Sequence, residues 1–270
     1  MLRTRVLTAA VLTGILLAGL FLPPPQWSVA GFGVVFTMGA WEWAGFGALR
    51  GTAARLAYAL CIAALLLLSW FWTAVPVNLI CLLGAAVLWW LIAFFWLALR
   101  PERHQSTLTL VCGAAVLVPS FAALARLQTT GGGAVHGPVV VLWLVLLTVA
   151  ADVGAYFAGR AFGKHKLAPR VSPGKTREGA AGGLALVALV AWCGAAHFAL
   201  PRLAVVLYAC AVGIFSIIGD LTESMFKRAA GLKDSGRLLP GHGGLLDRID
   251  SVTAAAPLYA LGLFGSGVIA

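Results

Sequence analysis

Long apolar stretches recur along the chain, and short segments that hold nearly all of its charges separate them. Each stretch runs for about 18 residues or more, which is enough for an α-helix to cross roughly 30 Å of hydrocarbon. The stretches do not alternate apolar and polar positions, as the strands of a transmembrane β-barrel would. The pattern therefore predicts an all-α, polytopic helical membrane protein.

Nine transmembrane helices account for these stretches, and together they predict one integral membrane domain over residues 1–270. The first follows Arg3 and Arg5 and ends before three prolines instead of a small-residue cleavage site, so we interpret it as a retained signal anchor. The predicted spans are 6–22, 29–48, 54–73, 77–99, 107–125, 138–158, 179–200, 202–221 and 252–269.

Composition and charge agree with this topology. Hydrophobic residues make up 61% of the 270 residues and charged residues 10%, whereas a soluble domain carries about a quarter charged residues. With the N-terminus in the cytoplasm, 17 of the 19 basic residues fall on the cytoplasmic side, as the positive-inside rule requires. The net charge of +10 reflects this topology, with anionic lipid or substrate as a second source. Because the basic residues are dispersed over short loops, we do not expect nucleic acid as a partner.

Two segments, 152–178 and 220–250, hold 18 of the 28 charged residues and face the same side in this topology. They could therefore converge on one site. We expect the chemistry to lie in residues 151–270, while residues 1–150 supply mainly scaffold and lipid-facing spans.

Four carboxylates of the second segment stand at two helix ends. Asp220 and Glu223 share a helical face with Lys227, and Asp247 and Asp250 stand three residues apart at the start of the ninth span. Carboxylates at membrane depth usually face a bundle interior or a watery cavity, and their oxygens suit Mg²⁺. The alternative is Asp–Arg and Glu–Lys pairs that only tie helix ends together.

A glycine-rich stretch, Pro240-Gly241-His242-Gly243-Gly244, leads into Asp247. Glycines let the backbone approach a ligand closely, and amides that feed a helix N-terminus can bind phosphate. A plain helix–helix turn is the alternative for this stretch. His242 lies among glycines and acids, so we favour a functional role for it over a packing role.

The first segment is a basic loop over residues 159–179. Its Gly174-Lys175-Thr176 is not a P-loop, because the pattern would need glycine at Pro169. Its cations and hydroxyls could hold phosphates, or they could be ordinary positive-inside charge. Asp152 and Tyr156 add a carboxylate and a phenol to this region. Glu42, isolated in the second span, is interpreted as structural glue between helices.

These residues resemble the signature of phosphatidate cytidylyltransferases, also called CDP-diacylglycerol synthases. The signature covers Ser224 to Asp250, including Lys227, Arg228, Lys233-Asp234 and the glycine-rich stretch through Asp247. The block from Asp152 to Gly183 resembles a second part of the same family. The first 150 residues agree in topology but carry little family-specific sequence.

The resemblance implies transfer of CMP from CTP to phosphatidic acid, which gives CDP-diacylglycerol and pyrophosphate. It implies Mg²⁺ on Asp220 and Asp247, with Glu223 and Asp250 as second choices, and leaves open a second, monovalent cation. The expected catalytic residues are Asp220, Asp247, Lys227, Arg228 and His242. The expected substrate-binding residues are Lys164, Lys166, Ser172, Lys175, Gly243, Gly244, Arg248, Asp152 and Tyr156. The expected location is a bacterial inner membrane with the site on the cytoplasmic side, among membrane lipids, and a homodimer is left open.

Three other functions compete with this interpretation. A transporter would place polar residues near the bilayer midplane, often within inverted repeats, whereas here they crowd one side. A CTP-dependent lipid kinase would attack the γ-phosphate of CTP. A catalytically dead scaffold would have lost candidate ligands, and all of them are present.

Overall fold

The computed structural model describes residues 2–47, 49, 51–99, 106–131, 136–198, 201–236, 238 and 243–267. In this part of the chain the helices are α1 (Leu2–Phe21), α2 (Pro25–Phe46), α3 (Thr52–Trp72), α4 (Pro76–Leu99), α5 (Ser106–Thr129), α6 (Gly137–Phe162), α7 (Arg177–Gly194), α8 (Arg202–Ala229) and α9 (Asp250–Gly265). Two short strands, β1 (Lys166–Ala168) and β2 (Ser172–Thr176), form a hairpin, and 3₁₀ turns cover Ala195–Phe198 and Leu246–Arg248.

Each predicted apolar stretch corresponds to one of these helices. Among the described residues, five helices (α3, α4, α5, α6 and α8) are long and apolar enough to cross a membrane. Many of their large apolar side chains are exposed on the surface of the bundle, as lipid-facing side chains are. The chain is therefore a helical membrane protein.

Some boundaries differ from the predicted spans. Helix α7 ends at Gly194, six residues before the predicted end at 200, and a 3₁₀ turn follows it. Helix α8 runs to Ala229, eight residues beyond the apolar span predicted to end at 221, because its charged last turns, which the spacing predicts to be helical, keep a buried face that includes Glu223 and Lys227. The hairpin was expected to be a loop. Its strands are antiparallel, with Lys166 opposite Thr176 and Ala168 opposite Ser172.

Side-chain hydrogen bonds show how neighbouring helices run. At one end, Trp43 Nε1 near the end of α2 donates to the Thr109 carbonyl near the start of α5 (2.7 Å). At the opposite end, Gln128 Nε2 near the end of α5 donates to the Leu20 carbonyl at the end of α1 (2.9 Å). Helix α5 is therefore antiparallel to α2 and parallel to α1.

The core at the first end is aromatic. The Phe226 ring of α8 lies 5.2 Å from that of Trp43 in α2 and 5.7 Å from that of Trp96 in α4. Edge-on and tilted contacts of this kind stabilise packed aromatic rings beyond their buried area. They fix the last turns of α8, which carry the charged residues, against the N-terminal half of the chain.

Small residues let the helices of the C-terminal half pack closely. A Cβ at Gly179 would stand 2.8 Å from the Ala155 carbonyl oxygen, and one at Gly219 would stand 2.6 Å from the Asp250 carbonyl oxygen. Small residues at such positions let helix backbones approach each other within a membrane. The approach at Gly219 brings the neighbouring Asp220 close to the start of α9.

Helices α5 and α9 contact each other one turn before a proline in α9. Pro257 has no N–H to donate to the carbonyl of Thr253, one turn earlier in α9. Ser120 Oγ of α5 lies within hydrogen-bond distance of that carbonyl (2.5 Å) and of the Val116 carbonyl in its own helix (2.6 Å), so its one proton is shared between the two. Because lipid offers no water to a freed backbone group, a neighbouring helix must supply its partner. The carbonyl of Thr253 thus becomes a contact between helices.

Candidate active site

The two charged segments meet at the end of the bundle where α6 and α8 end and α7 and α9 begin. Lys175 of β2 pairs with Asp220 of α8, and their side chains are 30% and 23% exposed. Asp152 of α6 lies within electrostatic range of both. We call Asp152, Lys175 and Asp220 the hairpin half of the site. The prediction that the two segments converge is confirmed.

The hairpin is held in place from its base. Thr176 caps α7 by accepting a hydrogen bond from the Gly179 amide (3.1 Å). Glu178 accepts hydrogen bonds from the Lys164 amide (3.1 Å) and from Nδ1 of His165 (2.6 Å). The His165 hydrogen bond, followed by those of backbone amides, lowers the pKa of Glu178 to about 2. Glu178 therefore closes the hairpin that presents Lys175 to Asp220.

A cavity of about 460 Å³ adjoins the hairpin half. Charged side chains of its lining are Asp152, Arg160, Lys175 and Asp220, and Tyr156 and Thr176 add hydroxyl groups. Apolar and small residues such as Ala151, Ala155 and Ile217 line it as well. Arg160 Nη1 donates to the Tyr156 hydroxyl (3.1 Å) at its edge. The cavity therefore combines charged and apolar side chains in one lining.

The other half of the site is buried. Lys227 Nζ lies 3.1 Å from Glu223 Oε1 and 2.6 Å from Asp247 Oδ1, and all three side chains are less than a tenth exposed. Oδ2 of Asp247 accepts hydrogen bonds from the amides of Ser235 (2.9 Å) and Gly244 (2.8 Å). We call Glu223, Lys227 and Asp247, together with Ser235 and residues 244–246, the loop half of the site.

Asp247 is held as an anion. Burial alone raises the pKa of a carboxyl group, but the hydrogen bond and charge of Lys227, with the amides of Gly244 and Ser235, outweigh it and lower the pKa of Asp247. The 3₁₀ turn that carries Asp247 lies outside the predicted spans. The carboxylate therefore remains charged at neutral pH.

Asp250 connects the two halves. It lies within electrostatic range of Glu223, Asp220 and Lys227. Arg248 lies within range of Asp152. Five carboxylates and three basic side chains therefore share this region: Asp152, Asp220, Glu223, Asp247, Asp250, Lys175, Lys227 and Arg248.

The donor atoms fit a hard cation such as Mg²⁺. They are carboxylate oxygens, and acids outnumber bases in this region. Across the described ranges, however, no three acidic, histidine or cysteine side chains form a ready-made metal cluster. The four carboxylates expected to hold a metal thus do not converge on one point, and phosphate oxygens or water would have to complete the coordination.

The other predicted site residues lie around these two halves. Lys164 and Lys166 are exposed on the hairpin, and Ser172 is half-buried at the start of β2. Arg228 donates to backbone carbonyls of Val171 (3.4 Å) and Leu232 (3.3 Å). His242 lies outside the described residues.

Glycine geometry supports the predicted close approach at Gly243 and Gly244. Gly243 has a φ of 81°, in the left-handed region that disfavours other residues. A Cβ there would stand 2.8 Å from Asp247 Oδ2. The loop backbone therefore does approach an anion closely, and in this structure the anion is the carboxylate of Asp247.

Three residues of the site were not assigned to it from the sequence: Glu42, Glu178 and Ser235. Glu42 was interpreted as glue between helices, but its hydrogen-bond donors lie on the loop half, at Ser235, Leu245 and Leu246. An acid inside an apolar span is a visible signal. Its partners are about 200 residues away along the chain, so no spacing rule could identify them.

Comparison with known proteins agrees with this geometry. Residues 3–264 match the model of the cytidylyltransferase family. A phosphatidate cytidylyltransferase of Pseudomonas aeruginosa is 40% identical over 99% of this chain and 98% of its own length. One of Haemophilus influenzae is 39% identical over 96% of this chain and 98% of its own length. One of Staphylococcus haemolyticus is 47% identical over 44% of this chain and 46% of its own length.

Proposed function

The chain belongs to the cytidylyltransferase family, and we propose that it transfers the CMP group of CTP to phosphatidic acid. A phosphate oxygen of the lipid attacks the α-phosphorus of CTP, and the bond to pyrophosphate breaks, so the products are CDP-diacylglycerol and pyrophosphate. The observation that carries this proposal is an ion pair, Lys175 with Asp220, that lines a cavity whose other side chains are both charged and apolar.

The chain's own residues would align and neutralise two polyanions. Lys175 and Arg160 stand where the cavity meets the site, so they would bind the lipid phosphate or the triphosphate. The apolar lining would accommodate the first carbons of the acyl chains. No side-chain nucleophile is needed, because the lipid supplies the attacking oxygen. Catalysis then comes from alignment and charge stabilisation.

We infer that Mg²⁺ binds at this site, with Asp220 and Asp247 as its main protein ligands and Glu223 and Asp250 as alternatives. Mg²⁺ usually takes one or two carboxylates and completes its coordination with water and substrate phosphates. This kind of coordination agrees with carboxylates that stand apart, and it does not require a site in which protein atoms alone surround the ion. When bound, the ion would neutralise charge on the triphosphate and on the leaving pyrophosphate.

We also propose that all nine helices span the membrane, with the N-terminus and the site in the cytoplasm. The lopsided distribution of basic residues supports this orientation. It would place the site where CTP is available, in the inner membrane of a bacterium. Residues 151–270 would supply the catalytic side chains and residues 1–150 the scaffold, to which Glu42 is an exception.

The test is a reaction of purified protein with phosphatidic acid, Mg²⁺ and CTP that carries its label on cytidine. We expect label in the lipid and one pyrophosphate released for each lipid labelled, with both lost on chelation of Mg²⁺ and restored on its return. A phosphorylated lipid with free CDP would indicate the kinase instead. A folded sample that makes no CDP-lipid would refute the proposal.

A further inference from the structure

Glu42 is a buried carboxylate in the half of the chain expected to be scaffold. It is 4% exposed and lies near the end of α2. Its oxygens accept hydrogen bonds from Ser235 Oγ (2.9 Å), the Leu245 amide (3.0 Å) and the Leu246 amide (2.8 Å). All three donors are neutral and belong to the loop half, so Glu42 ties that loop to α2.

The same loop residues bind Asp247. The Ser235 amide donates to Asp247 Oδ2 (2.9 Å), and the Asp247 amide donates to Ser235 Oγ (3.3 Å). Ser235 thus contacts both carboxylates, with its hydroxyl donating to Glu42. The amides of residues 244–246 are divided between the two acids, since Gly244 donates to Asp247 and the next two donate to Glu42.

The packing around Glu42 requires glycine at two loop positions. A Cβ at Gly236 would stand 2.8 Å from Glu42 Cδ, and one at Gly244 would stand 2.6 Å from the Gly236 amide nitrogen. Real Cβ atoms do not approach so closely, so both residues allow the loop to fold tightly around the Glu42 carboxylate. The Glu42 carboxylate and the loop backbone at Gly236 and Gly244 are therefore closely packed against each other.

We propose that Glu42 is the positioning residue of the loop half, fixing the direction of Asp247 through Ser235 and the amides of residues 244–246. A buried carboxylate is costly unless it is hydrogen-bonded, and here three donors satisfy it. Its hydrogen bonds hold the loop, and the loop leaves Asp247 Oδ1 facing Lys227. The expected effect on turnover rests on the proposed function, whereas the expected effect on the loop does not.

The test replaces Glu42 by glutamine and follows the loop and the reaction separately. Glutamine presents an amide N–H₂ where one oxygen accepted, so a hydrogen bond to a charged group is lost and a donor faces a donor. We expect amide exchange in peptides covering 233–247 to rise by about 10- to 100-fold in protein without added metal. We expect kcat to fall by about 10- to 100-fold, as for residues that orient metal ligands, with KM for both substrates little changed.

Ser28→Ala is the matched control. Ser28 is equally buried on α2, and its hydroxyl donates to the Gly19 carbonyl (2.7 Å) at the far end of the bundle. The Ser28→Ala substitution removes a buried hydrogen bond between α2 and α1 and does not alter any contact of the loop half. We expect kcat and exchange over 233–247 to stay at the wild-type level.

Ser235→Ala serves if Glu42→Gln does not fold. It removes the hydroxyl that joins the two carboxylates but leaves Glu42 bonded to the Leu245 and Leu246 amides. We expect a smaller rise in exchange and a smaller fall in kcat than for Glu42→Gln, and wild-type values of both would contradict the proposal. If Glu42→Gln does fold, adding Ser235→Ala to it should cause little further loss, because the two act through one network.

Wild-type exchange and wild-type kcat in folded Glu42→Gln would overturn the positioning role, as would equal losses in the Ser28→Ala control. If wild-type protein makes no CDP-lipid, the proposed function fails by itself, and exchange over 233–247 still decides whether Glu42 holds the loop.

Discussion

The two halves of the site hold their carboxylates in different ways. In the loop half, Asp247 and Lys227 are each 9% exposed at the side chain, and backbone amides fix the second oxygen of Asp247. In the hairpin half, Asp220 and Lys175 are 23% and 30% exposed and border the cavity. From this comparison we expect the loop half to be arranged before substrate arrives, and we expect Lys175 of the hairpin half to exchange its contact with Asp220 for a substrate phosphate.

Burial explains the difference in rigidity. A buried ion pair adds little to the free energy of unfolding unless the two charges and their hydrogen bonds are well placed. Removing one partner of the pair, however, leaves an uncompensated buried charge. An ion pair that remains in contact with water is worth much less and is easily exchanged. Substitutions in the loop half should therefore mainly lower the free energy of unfolding, whereas substitutions in the hairpin half should mainly weaken substrate binding.

The largest expected effect is on turnover, where the two halves should behave alike. Asp220→Asn and Asp247→Asn keep the shape of each side chain but remove a charge that the proposed Mg²⁺ requires. A metal contributes several kcal/mol of charge stabilisation, and each 1.36 kcal/mol is tenfold in rate. We expect each variant to lose at least about a thousand-fold in CDP-lipid formation while remaining folded. Near-normal rates in both would refute their metal role.

The next effect, on stability, should separate the halves. Lys227→Met leaves Glu223 and Asp247 buried without their shared cation, which typically costs about 3–5 kcal/mol. We expect a large fall in the midpoint of unfolding, measured by tryptophan fluorescence of the protein in detergent. Lys233→Met, which alters an exposed lysine of the same loop, should change stability by less than about 0.5 kcal/mol. Equal stability of the two variants would contradict a rigid loop half.

Lys175→Met should show the opposite balance in the hairpin half. Its part-exposed ion pair with Asp220 is worth about 0–1 kcal/mol, so stability should change little. A charge-assisted hydrogen bond to a substrate phosphate is worth about 1.5–3 kcal/mol, so kcat/KM should fall by about 10- to 100-fold. Initial rates with each substrate varied in turn would show which phosphate Lys175 binds. Unchanged kcat/KM for both would remove it from the site.

The sequence predicted the helices well because the bilayer imposes a length and a composition on each span. Hydropathy alone ended the eighth span at 221, since it ends with the apolar run, while helical spacing already placed Lys227 on the same helix, which runs to Ala229. The sequence did not predict the hairpin, whose strands are too short to show alternation.

The sequence predicted which segments supply the charged residues of the site better than it predicted which of those residues contact each other. Helical spacing placed Glu223 and Lys227 together, and the structure adds Asp247 to that pair. Nothing in the spacing assigns Lys175, instead of Lys164 or Lys166, to Asp220, because the choice depends on the register of the hairpin. Partners such as Glu42 and Ser235, distant in sequence, appear only when the helices are packed.

The smallest expected effect concerns the base of the hairpin and depends on pH. The pKa of Glu178 is depressed to about 2 from an ordinary value near 4.5. Its stabilising contacts are therefore fully present above pH 4.5 and are lost as pH falls toward 2. We expect Glu178→Gln to speed amide exchange over residues 164–176 at about pH 6, and the difference from wild type to shrink as the pH is lowered from about 4.5 to about 3.

Arg177→Gln, at the neighbouring exposed position, is the control for a change of charge alone, and it should leave exchange over residues 164–176 unchanged. A Glu178→Gln effect that stayed constant across this pH range would contradict a role for the ionised carboxylate. Because Lys175 lies on the strand that Glu178 anchors, a faster-exchanging hairpin should also present Lys175 to Asp220 less often. The resulting loss in kcat/KM should be smaller than that of Lys175→Met, since the lysine itself is still present.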